Sequence, residues 1–133
     1  MSEDYQNKKI TSYRDLDVYQ RAYKASIVVC LKIVPRLPKE EKHDLASQLR
    51  RSSKAVPRLI AEGYAKKHQR RGFQKYIDDA MAEANETIVS LSHVRDLYFK
   101  KVDEVSLEEM IEEYNIIGKQ LYNLEKSWEN FSK

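Results

Sequence analysis

From residue 107 to residue 131, Leu107, Met110, Tyr114, Ile117, Leu121, Leu124, Trp128 and Phe131 follow one another at alternating steps of three and four. That spacing returns to one side of an α-helix and predicts an amphipathic helix with a heptad-like seam. A second long run, over residues 69–101, places Phe73, Ile77, Ala80, Ala84, Ile88, Leu91, Val94 and Tyr98 on one side. Near the start, Ser12-Tyr13-Arg14-Asp15 fits a capping box. It is followed by Leu16, Tyr19, Tyr23, Ser26 or Ile27, Cys30, Val34 and Leu37 at helical spacing, and Pro35 and Pro38 end that helix.

Between these lies a helix beginning around residues 39–41, with Glu40 and Glu41 at its positive end and Gly63 as its C-terminal glycine. Pro57 falls inside it, so a kink or break is expected near Lys54. Residues 102–105 make the last turn. Four long helices with short links predict an all-α, antiparallel up-down-up-down four-helix bundle. Residues 1–11 are polar and aperiodic and predict a disordered lead-in, leaving residues 12–133 as a single domain.

The second helix carries two stripes. Leu45, Leu49, Val56, Leu59 and Ile60 fall in one sector, and Arg50, Arg51, Lys54 and Arg58 fall nearly opposite. Continuing along the chain, Lys66, Lys67, Arg70, Arg71 and Lys75 extend the basic run, against the one acid Glu62. The whole-chain net charge of +3 hides this local field. Cations gathered where the third helix begins oppose its dipole, and an anion there relieves the conflict. Tyr64 and Tyr76 lie nearby, where they would stack on unpaired bases or sit in the core. The first helix is apolar almost all round between residues 27 and 34, where only Lys32 is an obvious solvated position. A bundle needs one buried stripe per helix, so the surplus predicts self-association, the alternative being a helix embedded by its three neighbours.

Other chemistry finds little support. The lone Cys30 has no disulfide partner, and the longest apolar run is far too short to span a bilayer. With no apolar leader in residues 1–9, a cytoplasmic protein is expected. A single Glu-x-x-His stretch (Glu40 to His43), dispersed His68 and His93, and three glycines leave no metal, nucleophile or phosphate-loop motif. Glu108, Glu109, Glu112 and Glu113 lie mostly off the seam and read as a solvated face, or as one that meets a basic neighbour subunit. No catalytic residue, metal or cofactor is therefore assigned.

Several stretches taken together resemble a known family. They are Tyr13-Arg14-Asp15-Leu16-Asp17-Val18-Tyr19-Gln20, Leu37 to Glu41 (Leu-Pro-Lys-Glu-Glu), Gln48 to Arg51 (Gln-Leu-Arg-Arg), and Val56-Pro57 followed by Ile60-Ala61-Glu62-Gly63. The combination resembles the four-helix-bundle proteins encoded within bacterial 23S rRNA intervening sequences, over roughly residues 13–130. The chain departs from that pattern at Leu59, where the family usually has Asn, at Tyr19, where Trp is common, and at Gln69 and Gly72, which replace a Ser/Thr and a Glu.

The resemblance implies an up-down bundle that assembles as a homopentamer, with no established catalytic activity. It also implies similarity in fold to the accessory variability proteins of diversity-generating retroelements, which are pentameric and basic and bind nucleic acid and a reverse transcriptase. The function expected is therefore a non-enzymatic, oligomeric bundle contacting RNA or DNA phosphates, without sequence readout. The contacts expected are Arg50, Arg51, Lys54, Arg58, Lys66, Lys67, Arg70, Arg71 and Lys75. The alternative is a protein-interaction scaffold that docks a reverse transcriptase or another nucleic-acid enzyme.

Overall fold

The computed structural model describes residues 9–130, so most of the expected lead-in and Phe131 of the seam lie outside the described residues. Four α-helices run in chain order: α1 (Asp17–Val28), α2 (Leu45–Ala65), α3 (Arg70–Leu97) and α4 (Glu104–Lys126). No strand occurs among the described residues. Helix α1 continues through a π turn at Val29–Ile33 and a 3-10 turn at Val34–Arg36, with further 3-10 turns at Tyr13–Asp15, Lys39–Glu41 and Trp128–Asn130. The helices pack as a bundle in which α2 lies against α3, α3 against α4, and α1 against α2 and α4.

The core follows the predicted stripes. Leu49, Val56 and Ile60 of α2, Ile77, Ala80, Ala84, Leu91 and Val94 of α3, and Leu107, Tyr114, Ile117 and Leu121 of α4 are all sealed from solvent. Each larger aliphatic side chain contributes on the order of 2 kcal/mol through removal from water. The seam of α4 loses its helix before its end: Trp128 sits in the closing 3-10 turn, half-buried, and donates its indole N–H to the Lys67 carbonyl at 2.8 Å. Surface pairs brace adjacent helices: Arg21 with Glu113 at 2.8 Å joins α1 to α4, and Arg95 with Glu108 at 3.0 Å joins α3 to α4. Two of the four expected solvated glutamates thus tie helices together.

Besides α3, which ends at Leu97 instead of residue 101, three boundaries differ from expectation. The Ser12 box forms, with Ser12 Oγ accepting from Arg14 N at 3.2 Å and Asp15 accepting from Ser12 N at 3.1 Å, but it closes a 3-10 turn. Leu16 then adopts an extended conformation that drives its side chain into the core, and α1 starts at Asp17. Helix α2 starts at Leu45 instead of residues 39–41, which form a 3-10 turn after Pro38. Glu41 still serves the helix start: one carboxylate oxygen accepts from Leu45 N at 3.2 Å, and the other accepts from the Tyr98 hydroxyl. That hydrogen bond pushes the Tyr98 pKa up to about 12 and ties the end of α3 to the start of α2.

Gly63 is the third difference. Helix α2 runs past it to Ala65, and no glycine has positive φ among the described residues, so Gly63 is not a left-handed cap. A Cβ there would lie 3.1 Å from Ile77 Cδ1 and 3.2 Å from Tyr76 Cβ, so the glycine lets α2 and α3 approach closely. Pro57 is buried within an α-helical run that continues across it.

The first helix is not embedded on all sides. Val29, Ile33 and Val34 are buried, but Leu31 is 70% exposed, and Tyr23, expected inward, is also exposed. Ser26 takes the inward place that Ile27 leaves.

One core atom lacks a partner. The Tyr114 hydroxyl is buried without a hydrogen bond among the described residues, and burial raises its pKa. Replacing Tyr114 by Phe removes an unsatisfied polar group at nearly constant volume, and denaturant unfolding of Y114F is expected to show a gain of about 1 kcal/mol.

Candidate nucleic-acid interface

The two stripes of α2 separate as expected. Leu45, Leu49, Val56, Leu59 and Ile60 are buried, whereas Arg50, Arg51, Lys54 and Arg58 are exposed. Outside α2 runs an open groove of about 770 Å³ between this basic row and the chain that leaves α1. Its apolar floor includes Val34, Leu37, Pro38 and Ala55, and its rim carries Lys39, Lys42 and His43 beside Arg50 and Lys54. The sequence reading missed Lys39, Lys42 and His43 as part of this face. The turns at Pro35 and Pro38 fold them back alongside α2, and the charge window beginning at Arg50 stopped short of them. The side chains of Lys39, Lys42, Arg50 and Lys54 make no ion pair or hydrogen bond among the described residues.

Arg51 and Arg58 of the row, and Lys75 on α3, are engaged. Arg51 reaches Glu83 of α3 at 2.9 Å and also Glu86, and the hydrogen bond to Glu83 raises its pKa. Arg58 pairs with Glu62 at 3.0 Å one turn along α2. Lys75 pairs with Asp79 at 3.0 Å, which raises its pKa. These pairs lie at the surface, where solvent screening leaves them weak enough to exchange for an incoming phosphate.

Lys66, Lys67, Arg70 and Arg71 form a separate cluster at the α2–α3 corner. At 1.5 Å per residue, Lys54 and Lys66 are roughly 18 Å apart along the helix, so the nine predicted contacts divide between two places. Lys67 lies 4.5 Å over the Tyr64 ring and donates to its hydroxyl at 3.2 Å, and Arg70 lies 5.7 Å over the Trp128 ring. Lys66 and Arg71 are exposed and make no such contact among the described residues. Helix α3 starts here without a side-chain cap from Gln69 and without an acid in its first turn. Tyr64 is a core residue, and Tyr76 is half-buried beneath Lys75, so neither offers an open stacking face.

Behind the corner, Glu125 is pushed above the usual carboxylate range by burial and by neighbouring Asp78, while Gln74 donates to it at 3.1 Å. No group of three or more His, Cys, Asp or Glu residues among the described residues is placed to hold a metal ion. No helix among the described residues is long and apolar enough to cross a membrane.

Neither curated proteins nor solved structures give a match to the chain. The family model described as 23S rRNA-intervening sequence protein matches residues 14–123, from the turn before α1 to near the end of α4. The chain therefore belongs to the 23S rRNA-intervening sequence protein family.

Proposed function

We propose that this protein is a non-enzymatic, cytoplasmic, oligomeric bundle of bacterial origin that holds RNA or DNA by its phosphates along the outer face of α2. The supporting observation is the row of Lys39, Lys42, Arg50 and Lys54, four exposed cations without acidic partners among the described residues along one groove. Phosphate contacts of this kind fix register but carry no sequence information, so binding is not sequence-specific. Arg51, Arg58 and Lys75 join by exchanging their carboxylates. Lys66, Lys67, Arg70 and Arg71 form a second contact point at the start of α3, where backbone N–H groups also favour an anion.

In this reading residues 12–133 form one domain, an antiparallel up-down bundle with α2 bent near Pro57. Five copies form a ring, so that weak phosphate contacts repeat around it and act together. A second reading is favoured by the groove's apolar floor of Val34, Leu37, Pro38 and Ala55. Such a floor fits a protein segment bearing both apolar and acidic side chains, as on a reverse transcriptase or another nucleic-acid enzyme.

Titration with single-stranded and duplex RNA and DNA over a series of salt concentrations tests the first reading. Log affinity is expected to fall by roughly 0.7 to 0.9 per phosphate contact for each tenfold rise in salt. An R50A/K54A variant is expected to lose affinity alike for all sequences and to flatten that slope by about two contacts' worth. Affinity that ignores salt, or no binding without a protein partner, would overturn it in favour of the scaffold.

A further inference from the structure

Three tyrosines around the start of α1 pack on one another, half-buried at the first two rings and exposed at the third. Tyr13 and Tyr19 meet edge to face with ring centroids 4.8 Å apart, and Tyr19 stacks on Tyr23 at 6.1 Å with an interplanar angle of 29°. The Arg14 guanidinium lies 4.8 Å over the Tyr13 ring, so the ladder begins on a cation. Its outer ring, Tyr23, is 51% exposed. An open pocket of about 400 Å³ lies over this ladder, lined by Arg14, Tyr19, Gln20, Tyr23 and Lys24, with no acid in the lining. The side chains of Arg14 and Lys24 make no ion pair among the described residues.

The ladder lies on the α2 side of α1. Cys30 follows Tyr23 by seven residues and Tyr19 by eleven, two spacings that return to nearly the same side of a helix. The Cys30 thiol lies 3.9 Å from the Ser53 hydroxyl on α2, and Lys54 of the basic row follows Ser53 directly. At 1.5 Å per residue, Tyr23 stands roughly 10 Å along the bundle from the level of Lys54, about three nucleotides of helical rise.

The basic row offers cations for phosphates but no face for a base, and the ladder supplies that half. Every base has a π face that stacks on an aromatic ring, and rings already stacked in the free protein lose little freedom on binding. A duplex keeps its base faces inside its own stack, so only an unpaired stretch can use them. We propose that Tyr19 and Tyr23, flanked by Arg14 and Lys24, form a stacking platform for the unpaired bases of a single strand whose phosphates lie on the α2 row. This rests on the phosphate contacts of the proposed function and adds to them a preference for single strands.

Fluorescence anisotropy with a short labelled adenine-rich RNA strand, its abasic counterpart and a duplex of the same length tests the platform. Tyr23→Ala is expected to weaken single-strand binding roughly five- to tenfold, the low end for a base stacked on an aromatic side chain, while duplex affinity and the salt slope stay at wild type. Tyr23→Trp is expected to bind the single strand at least as well as wild type. Wild type is expected to hold the abasic strand no more tightly than Tyr23→Ala holds the intact one. Equal binding of abasic and intact strands by wild type, or an unweakened Tyr23→Ala, would overturn the platform and leave the phosphate contacts standing. A loss shared equally by single strand and duplex would also overturn it, since a paired base has no face to offer. Wild type that binds neither strand nor duplex at low salt would overturn the phosphate contacts and the platform with them. The abasic comparison uses the unaltered chain, so the test does not depend on the folding of a variant.

Discussion

Replacing Gly63 by valine is expected to destabilise the fold by about 2 kcal/mol and to lower the melting temperature by roughly 8 °C. The Cβ alone would stand 3.1 Å from Ile77 Cδ1 and 3.2 Å from Tyr76 Cβ, and valine adds two methyl groups to that crowding. Ile77 is fully buried and has little freedom to yield, and the Tyr76 Cβ is fixed to the α3 backbone. Relief therefore requires α2 and α3 to separate along their most extensive contact. The gain in helix propensity from glycine to valine recovers only a few tenths of a kcal/mol. Thermal melting and denaturant titration of G63V measure the balance. A variant that melts with wild type would show that α2 and α3 do not need this close approach.

Gly63 also shows how much a sequence conveys. Glycine near the end of a helical pattern satisfies both a C-terminal cap and a close helix contact, and the deciding partners, Tyr76 and Ile77, lie on the next helix. Where one residue's role depends only on its own helix, the reading was direct: the α4 seam from Leu107 to Leu124 and the two stripes of α2 needed nothing beyond periodicity. The starts of α1 and α2 were displaced because Leu16 is drawn into the core and Pro38 starts a 3-10 turn, both outcomes of tertiary packing.

The basic face was legible as charge but not as geometry. Arg51 finds Glu83 and Glu86 on the neighbouring helix, so its pairing has no local signature. Lys39 and Lys42 reach the α2 groove only because the chain turns at Pro35 and Pro38, and their charge was masked in sequence by Glu40 and Glu41. The π turn of Val29–Ile33 has no residue signature either.

Alanine at Lys39, Lys42, Arg50 and Lys54 together is expected to weaken nucleic-acid binding by about 4 kcal/mol, roughly a thousandfold, at fixed moderate salt. This takes about 1 kcal/mol for each exposed, charge-assisted phosphate contact, below the range for buried ones. The salt slope is expected to fall by about 3 at the same time. A parallel variant at the α2–α3 corner, Lys66→Ala with Arg71→Ala, removes two such contacts and is expected to lose only about thirtyfold. All six side chains are exposed, so both variants keep the wild-type melting temperature within a degree or two, and lost binding cannot be assigned to unfolding. Fluorescence anisotropy with the same labelled oligonucleotides across a salt series separates the outcomes. A corner variant that loses more than the groove variant would move the main contact to the start of α3. A groove variant that binds as wild type would remove the phosphate role from α2 and leave the groove to a protein segment.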